Sequence, residues 1–290
     1  MKKALALALA AMIALVGCSG PSSSGSQSQG AASSNQSSAA ASSSSQESEP
    51  AEVIVFAAAS MKETLDRVAE AYKTEAPHVT LVLTLDSSGT LKTQIQEGAA
   101  CDIFISAAQK QMNQLDSADT SGQNTEGLDF VLQGSRVNLL ENKVVLIVPA
   151  DTPADIQSFQ DIATDKLTLI ALGNADVPVG QYAQEIFTNM GMWDDLNTQQ
   201  KITFGSNVKE VTAQVAEAAV DCGIVYGTDA YSAKLEVVAE APAGTYSPAI
   251  YPAAILNITQ NQTEAEAFLA YLQTDACSAI FEEVGFSIAK

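Results

Sequence analysis

The sequence predicts an α/β fold of two lobes around a cleft. Three observations carry that expectation. Short apolar runs alternate with amphipathic helical stretches from residue 52 onward, the alternation comes in two series, and long apolar strands join the two. Strand–helix–strand order implies a parallel sheet with right-handed crossovers. The first series opens with Val53-Ile54-Val55-Phe56 and continues in a helix over 60–72, with Leu65, Val68, Ala69 and Tyr72 on one face. A strand over 79–85, a helix over 90–97 and a strand over 102–106 follow. The second series holds strands over 143–148 and 167–172, a helix over 178–190, a helix over 208–219 and a strand over 223–227. A strand over 251–258 and helical structure over 265–281 close the chain. The expected lobes are 51–138 with 249–290, and 139–248. Each is read as a mostly parallel sheet flanked by helices, hinged on two crossover strands near 139–148 and 246–255.

With 290 residues, 47% of them hydrophobic, the chain is long enough for a sizeable core. The amino end is a separate matter. Lys2 and Lys3 form a basic start, Ala4 to Val16 an apolar stretch too short to span a bilayer, and Leu15-Val16-Gly17-Cys18 closes it. Residues 1–17 read as a secretory signal. The last four residues resemble the lipobox of bacterial lipoproteins. That resemblance implies cleavage before Cys18 and its acylation, which would anchor the protein to the outside of the cell membrane. Residues 19–50 are almost entirely Ser, Gln, Ala and Gly, which cannot bury an apolar face, so a disordered tether is expected. Its reach would be on the order of 30 Å.

Charge excludes several classes of function. There are 14 Lys and Arg against 34 Asp and Glu, a formal charge of −20, and loss of the signal takes this to −22. Such a body does not bind nucleic acid or anionic lipid by bulk electrostatics. It also repels anions at long range, so any anion capture has to rest on short-range hydrogen bonds. Cys101, Cys222 and Cys277 show no CxxC spacing and accompany a single histidine, so no zinc site is legible. Three buried reduced thiols are expected, with one disulfide and one free thiol as the alternative. His78 follows Pro77 in a turn at the surface, and no Gly-x-Ser-x-Gly elbow accompanies it, which argues against a hydrolase. Trp193 reads as packing after a helix. Asn257-Ile-Thr and Asn261-Gln-Thr match glycosylation sequons, which the lipobox discounts.

Four segments combine a helix-start signal with small groups able to hold an oxyanion: 58–63 around Ser60, Ser87-Ser88-Gly89-Thr90, Val177-Pro178-Val179-Gly180, and 206–210 around Val208. A helix start leaves four N–H groups unpaired and carries about half a positive charge. Ser60-Met61-Lys62-Glu63 fits a capping box, and three preceding alanines allow close approach of a guest. Pro178 suits the first helical position, which would leave the N–H groups of Val179 and Gly180 free. Asn207 with Glu210 makes a second cap, just ahead of Val208. Every one of the four follows an apolar strand or extended run, which puts it at the carboxyl side of a sheet, where ligands of open α/β folds sit. Converged, four starts would supply roughly +2 against a dianion's −2. About five to seven charge-assisted bonds, each about 1.5–3 kcal/mol, support tight binding without any arginine.

Four stretches carry a family resemblance: Val-Phe-Ala-Ala-Ala-Ser (55–60), Ser-Ser-Gly-Thr-Leu (87–91), Gly-Ala-Ala-Cys-Asp-Ile-Phe-Ile-Ser-Ala (98–107) and Gly-Ile-Val-Tyr-Gly-Thr-Asp-Ala (223–230). In order and spacing they resemble the substrate-binding proteins of molybdate ABC transporters, across nearly all of 52–290. The resemblance implies a type II periplasmic-binding-protein fold with molybdate or tungstate held between the lobes. It implies binding hydroxyls at Ser60, Ser88 and Tyr226 and backbone donors at Val179 and Val208. Molybdenum would enter only as its oxyanion, with no cofactor and no catalysis, and a monomer would deliver it to a membrane permease. Asp86 departs from the pattern, since relatives carry a small or neutral residue there. Its carboxylate is expected to point into solvent. Held inward, it would suit a protonated oxyanion such as hydrogen phosphate. Three hypotheses follow: a molybdate or tungstate binder, the same scaffold reading sulfate or phosphate, and an anchored enzyme or adhesion module.

Overall fold

In the computed structural model, which describes residues 49–150 and 155–289, the strands fall into two sheets. The signal segment, Cys18 and the tether lie outside the described residues. The first sheet begins with β1 (Ala51–Ala58), which passes through a 3₁₀ turn (Ala59–Met61) into α1 (Lys62–Glu75). Next come β2 (Val79–Asp86), α2 (Ser88–Gln96), β3 (Ile103–Ile105) and α3 (Gln109–Leu115). β4 (Val137–Asn142) ends this series, and β5 (Val144–Val148) already belongs to the second sheet. There the chain forms β6 (Ile170–Gly173), α4 (Pro178–Asn189), α5 (Trp193–Thr198), β7 (Ile202–Gly205), α6 (Val208–Ala216) and β8 (Cys222–Tyr226). α7 (Gly227–Ala233) and β9 (Glu236–Glu240) complete it. The return adds β10 (Ala249–Ile255), α8 (Gln262–Tyr271), α9 (Asp275–Glu283) and β11 (Ser287–Ile288).

The first sheet runs β11-β4-β10-β3-β1-β2 and the second β7-β6-β8-β5-β9. Both are mixed, which corrects the expectation of mostly parallel sheets. β1 pairs parallel with β2 and β3, and β6 with β7 and β8, as the strand–helix order requires. β5 and β10 each begin at a crossing and run away from it. They therefore lie antiparallel to β8 and β3, whose carboxyl ends face the crossing. A second correction concerns the outward crossing. The expected strand over 139–148 is two strands, because 139–142 still pairs with β10 in the first sheet. The chain changes lobes at Lys143.

The interior explains why these runs take these shapes. All five residues of β5 are buried, as are all of β6 and β8, which is why they read as unbroken apolar runs. α1 buries Leu65, Val68 and Tyr72 against the first sheet, each burial contributing about 1.5–3 kcal/mol. α4 approaches β6 so closely that a Cβ on Gly180 would stand 2.2 Å from the Gly173 carbonyl oxygen, so only glycine fits there. Cys101, Cys222 and Cys277 are free and buried. Burial pushes the Cys101 thiol up to about 12 and Cys222 further, which leaves both unreactive. Trp193 opens α5, half-buried against the core. His78 is half-buried in the turn before β2.

Candidate anion-binding site

The four helix starts meet. A cavity of about 10 Å³ lies between the two sheets, lined by Ala58, Ala59, Ser60, Asp86, Ser87, Ser88, Ala107, Val177, Pro178, Val208 and Tyr226. No lysine, arginine or histidine is among these residues. The cavity is far too small for a sugar or a peptide. Larger cavities of about 420 and 430 Å³ lie along α8, with mostly apolar walls and none of the four starts.

Each wall has a local cause. Ser87 caps α2, its Oγ accepting from Thr90 N–H at 3.1 Å, which leaves Ser88 at the first helical position. Asn207 caps α6 through Glu210 N–H at 3.1 Å, leaving Val208 at the first helical position there. Pro178 opens α4 after Val177. Among the described residues, no hydrogen bond takes up the backbone N–H of Ser88, Val179 or Val208. These are the unpaired donors of helix starts, and the aligned peptide dipoles favour an anion beside them. Tyr226 ends β8 with its hydroxyl 3.4 Å from the Ala107 carbonyl oxygen, a contact long enough to yield to a better acceptor. Burial raises the Tyr226 hydroxyl well above its ordinary range, so it stays protonated and can donate.

Four of the five candidate residues, Ser60, Ser88, Val208 and Tyr226, line this cavity. Val179 is fully buried one residue beyond Pro178 and does not line it. Three expectations need correction. Ser60 does not cap a helix: its Oγ lies 2.9 Å from Tyr251 Oη, and Glu63 reaches Lys209 instead. The chain takes a 3₁₀ turn there, so α1 begins one residue later than the capping box places it. Gly180 N–H is not free, because Val177 accepts it at 2.9 Å. Asp86 does not point into solvent. It stands on the cavity wall, its Oδ1 accepting from Ser87 N–H at 2.7 Å and from Asn207 Nδ2 at 3.2 Å across the cleft. Two donors hold it, which is why it can lie inward.

Further bonds tie the lobes together around the cavity. Gly89 N–H donates to the Asp176 carbonyl at 3.0 Å, and Tyr182 Oη reaches the Ala107 carbonyl at 3.4 Å. Lys209 Nζ meets Glu63 at 2.7 Å and Asp229 Oδ1 at 3.1 Å. The second contact lacks hydrogen-bond geometry, and both Asp229 oxygens remain without a hydrogen-bond partner. Burial pushes the Asp229 carboxyl up to about 6 against the pull of Lys209. Lys209, next to Val208, is thus engaged by carboxylates. Sequence reasoning missed Ala107, Asn142 and Tyr251. Ala107 ends one of the resembling stretches and so left a signal. The other two act through contacts that exist only after the chain has crossed between lobes.

Comparison with known proteins agrees with this geometry. The sequence matches the family model of bacterial extracellular solute-binding proteins over residues 53–287. It is 36% identical to the molybdate-binding protein ModA of Haemophilus influenzae, over 82% of this chain and 90% of that protein. It is 35% identical to YvgL of Bacillus subtilis, named as an ABC transporter substrate-binding lipoprotein, over 80% of this chain and 85% of that one. The solved periplasmic molybdate-binding protein of Azotobacter vinelandii superposes with a TM-score of 0.71 at 26% identity, covering 82% of this chain and all of that one. A two-lobed fold, donors gathered at its cleft and a match across nearly all of the described residues lead to one assignment: the chain belongs to the bacterial extracellular solute-binding protein family.

Proposed function

We propose that this protein is the substrate-binding component of an ABC importer that takes up molybdate, and tungstate with it. Ser60, Ser88 and Tyr226 donate through hydroxyls, and Val179 and Val208 through backbone N–H groups. The observation that carries this reading is a small cavity where four helix starts converge with no basic side chain in its lining. Relatives at 33–36% identity that are named as molybdate-binding proteins support it. The protein binds a solute and catalyses nothing, and the anion is cargo rather than cofactor. Closure of the lobes strips water from the anion and strengthens each of its hydrogen bonds. The closed form then docks on a membrane permease. Cys18, acylated, anchors a monomer to the outer face of the cell membrane.

Isothermal calorimetry against molybdate, tungstate, sulfate and phosphate tests the reading. Molybdate and tungstate are expected to bind, and replacing both Ser60 and Ser88 by Ala is expected to weaken molybdate about a hundredfold or more. Unchanged affinity in that double variant refutes the site. Asp86 on the wall supports a second reading, a protonated oxyanion such as hydrogen phosphate, for which its carboxylate would accept the proton. Tighter binding of phosphate than of molybdate would establish that reading instead.

A further inference from the structure

Behind Ser60 lies a chain of hydrogen bonds that starts from a donor of fixed direction. Asn142, the last residue of β4, is buried at the point where the chain leaves the first sheet. Its Oδ1 accepts from Lys143 N–H at 2.9 Å. A backbone N–H can only donate, so the amide oxygen must face that side, and the NH₂ group faces the other. There Nδ2 donates to Thr228 Oγ1 at 2.9 Å and to Tyr251 Oη at 3.3 Å. Tyr251 is fully buried, and burial raises its hydroxyl well above the ordinary range, so it keeps its proton. Its oxygen already accepts from Asn142. The remaining neighbour at hydrogen-bond distance is Ser60 Oγ, at 2.9 Å. If Tyr251 donates to Ser60, Asn142, Tyr251 and Ser60 all have partners and the Ser60 proton is released toward the cavity. If Ser60 donated to Tyr251 instead, the Tyr251 proton would have only the Tyr226 hydroxyl to turn to, on a ring that packs edge-on against its own, a poorer acceptor than Ser60 at 2.9 Å.

Ser88 is set in the same sense by a different device. Ala107 N–H donates to Ser88 Oγ at 3.0 Å, so the Ser88 proton is also free to point into the cavity. The one carboxylate on the wall, Asp86, already accepts two donors at Oδ1.

We infer that Asn142 and Tyr251 are positioning residues that hold the Ser60 hydroxyl as a donor, so that the first lobe offers protons rather than lone pairs to the bound anion. The inference rests on the anion-site reading of Ser60 and Ser88. Its consequence is selectivity by protonation state. A fully deprotonated tetrahedral dianion meets donors at Ser60 and Ser88, whereas hydrogen phosphate brings a P–O–H group that finds no acceptor at either serine and is left only with Asp86. Sulfate carries no proton and is not rejected on this ground, so size alone must separate it from molybdate.

The test is calorimetry at pH 8 on the purified full chain with molybdate, sulfate and inorganic phosphate, before and after Tyr251→Phe and Asn142→Leu. Wild type is expected to bind molybdate at least about a hundredfold more tightly than phosphate. Either variant lets Ser60 rotate and is expected to lower the molybdate-to-phosphate affinity ratio about tenfold, while the molybdate-to-sulfate ratio stays within about twofold. In a Ser60→Ala background, Tyr251→Phe should leave the molybdate-to-phosphate ratio unmoved. A merely structural role would weaken all three anions together and keep both ratios. Unchanged ratios in folded variants, or an equal change in the Ser60→Ala background, overturn the relay. Comparable binding of phosphate and molybdate by the wild type overturns it with no variant at all. If Ser60→Ala weakens molybdate while Tyr251→Phe leaves the ratio alone, only the relay fails. If molybdate does not bind, or binds equally well without Ser60 and Ser88, the site reading itself fails.

Discussion

The two lobes build their halves of the cavity from different material. The first presents side-chain hydroxyls, Ser60 and Ser88, while the second presents the main-chain amide at the start of α6 and the Val177-Pro178 entry to α4, with Tyr226 beside them. An amide N–H is a donor whatever surrounds it. A hydroxyl can donate or accept, and its role is decided by what stands behind it. The first lobe therefore needs supporting groups, Ala107 N–H behind Ser88 and Tyr251 behind Ser60, and the second needs only properly formed helix starts. The lobes also differ in how they bury charge. Asp102 in the first lobe accepts from Ile54 N–H and Thr259, and Asp116 is paired with Arg136 at 2.8 Å. Burial works to raise the Asp116 carboxyl, but Arg136 and its other donors outweigh it and hold it below the ordinary range. Asp229 in the second lobe has only the ion pair with Lys209, and burial prevails.

The largest effect is expected where the lobes touch. A Cβ at Gly89 would stand 2.3 Å from the Asp176 carbonyl oxygen of the opposite lobe, backbone that cannot swing aside. Gly89→Ala should hold the lobes apart and weaken molybdate about a hundredfold or more, with a larger radius of gyration in solution scattering. A closed profile with normal affinity would show that this contact does not govern closure.

Next is the contrast in buried charge. The Asp229 carboxyl is raised from 3.8 to about 6, so the folded state holds the proton more firmly than the unfolded one. Its contribution to stability is full below about pH 4 and is lost as pH rises through 6. The difference is about 3 kcal/mol, with the pull of Lys209 already included. Urea unfolding of wild type and Asp229→Asn between pH 4 and 7 should show the variant gaining relative stability over that window. A flat difference curve would mean that Asp229 is solvated or fully paired.

The contrast between amide and hydroxyl donors can be broken at Val208. Proline is tolerated at the first helical position, and Asn207 before it is already extended at φ −153°, ψ 172°. Val208→Pro should keep α6 yet remove the N–H, lowering molybdate affinity about ten- to a hundredfold. Val208→Ala, which keeps the N–H, should cost roughly 1–3 kcal/mol of stability and leave affinity within about twofold. Equal affinities in the two variants would remove Val208 from the site. The smallest effect belongs to the rim. Glu63→Gln weakens a half-exposed ion pair across the cleft, so affinity should fall about two- to fivefold at low salt and less at high salt. An effect independent of salt would exclude an electrostatic clasp.

Much of this architecture was legible along the chain. β1, β5, β8 and β10 read directly as apolar runs, and α4 and α6 as amphipathic helices with Pro178 and Asn207 at their starts. Short elements escaped. α5 has six residues and β9 is a short apolar triplet between Glu236 and Glu240 at a sheet edge, so neither is long enough to rise above its surroundings. The capping box at Ser60 misled because Ser-x-x-Glu is also what a 3₁₀ turn with an outward glutamate looks like. Asp86 misled because its second donor, Asn207, lies 121 positions away.

Sequence alone determined the sites of the helix starts and the small residues beside them. These depend on local rules, since caps, proline geometry and hydrophobic period act within a few residues. Only the tertiary structure decided that the starts share one cavity, that Asp86 turns inward, that Val179 stays off the wall, and that Asn142 and Tyr251 set the direction of Ser60. Those outcomes depend on hydrogen bonds between residues that the two crossings bring together, and a linear pattern does not encode such distances.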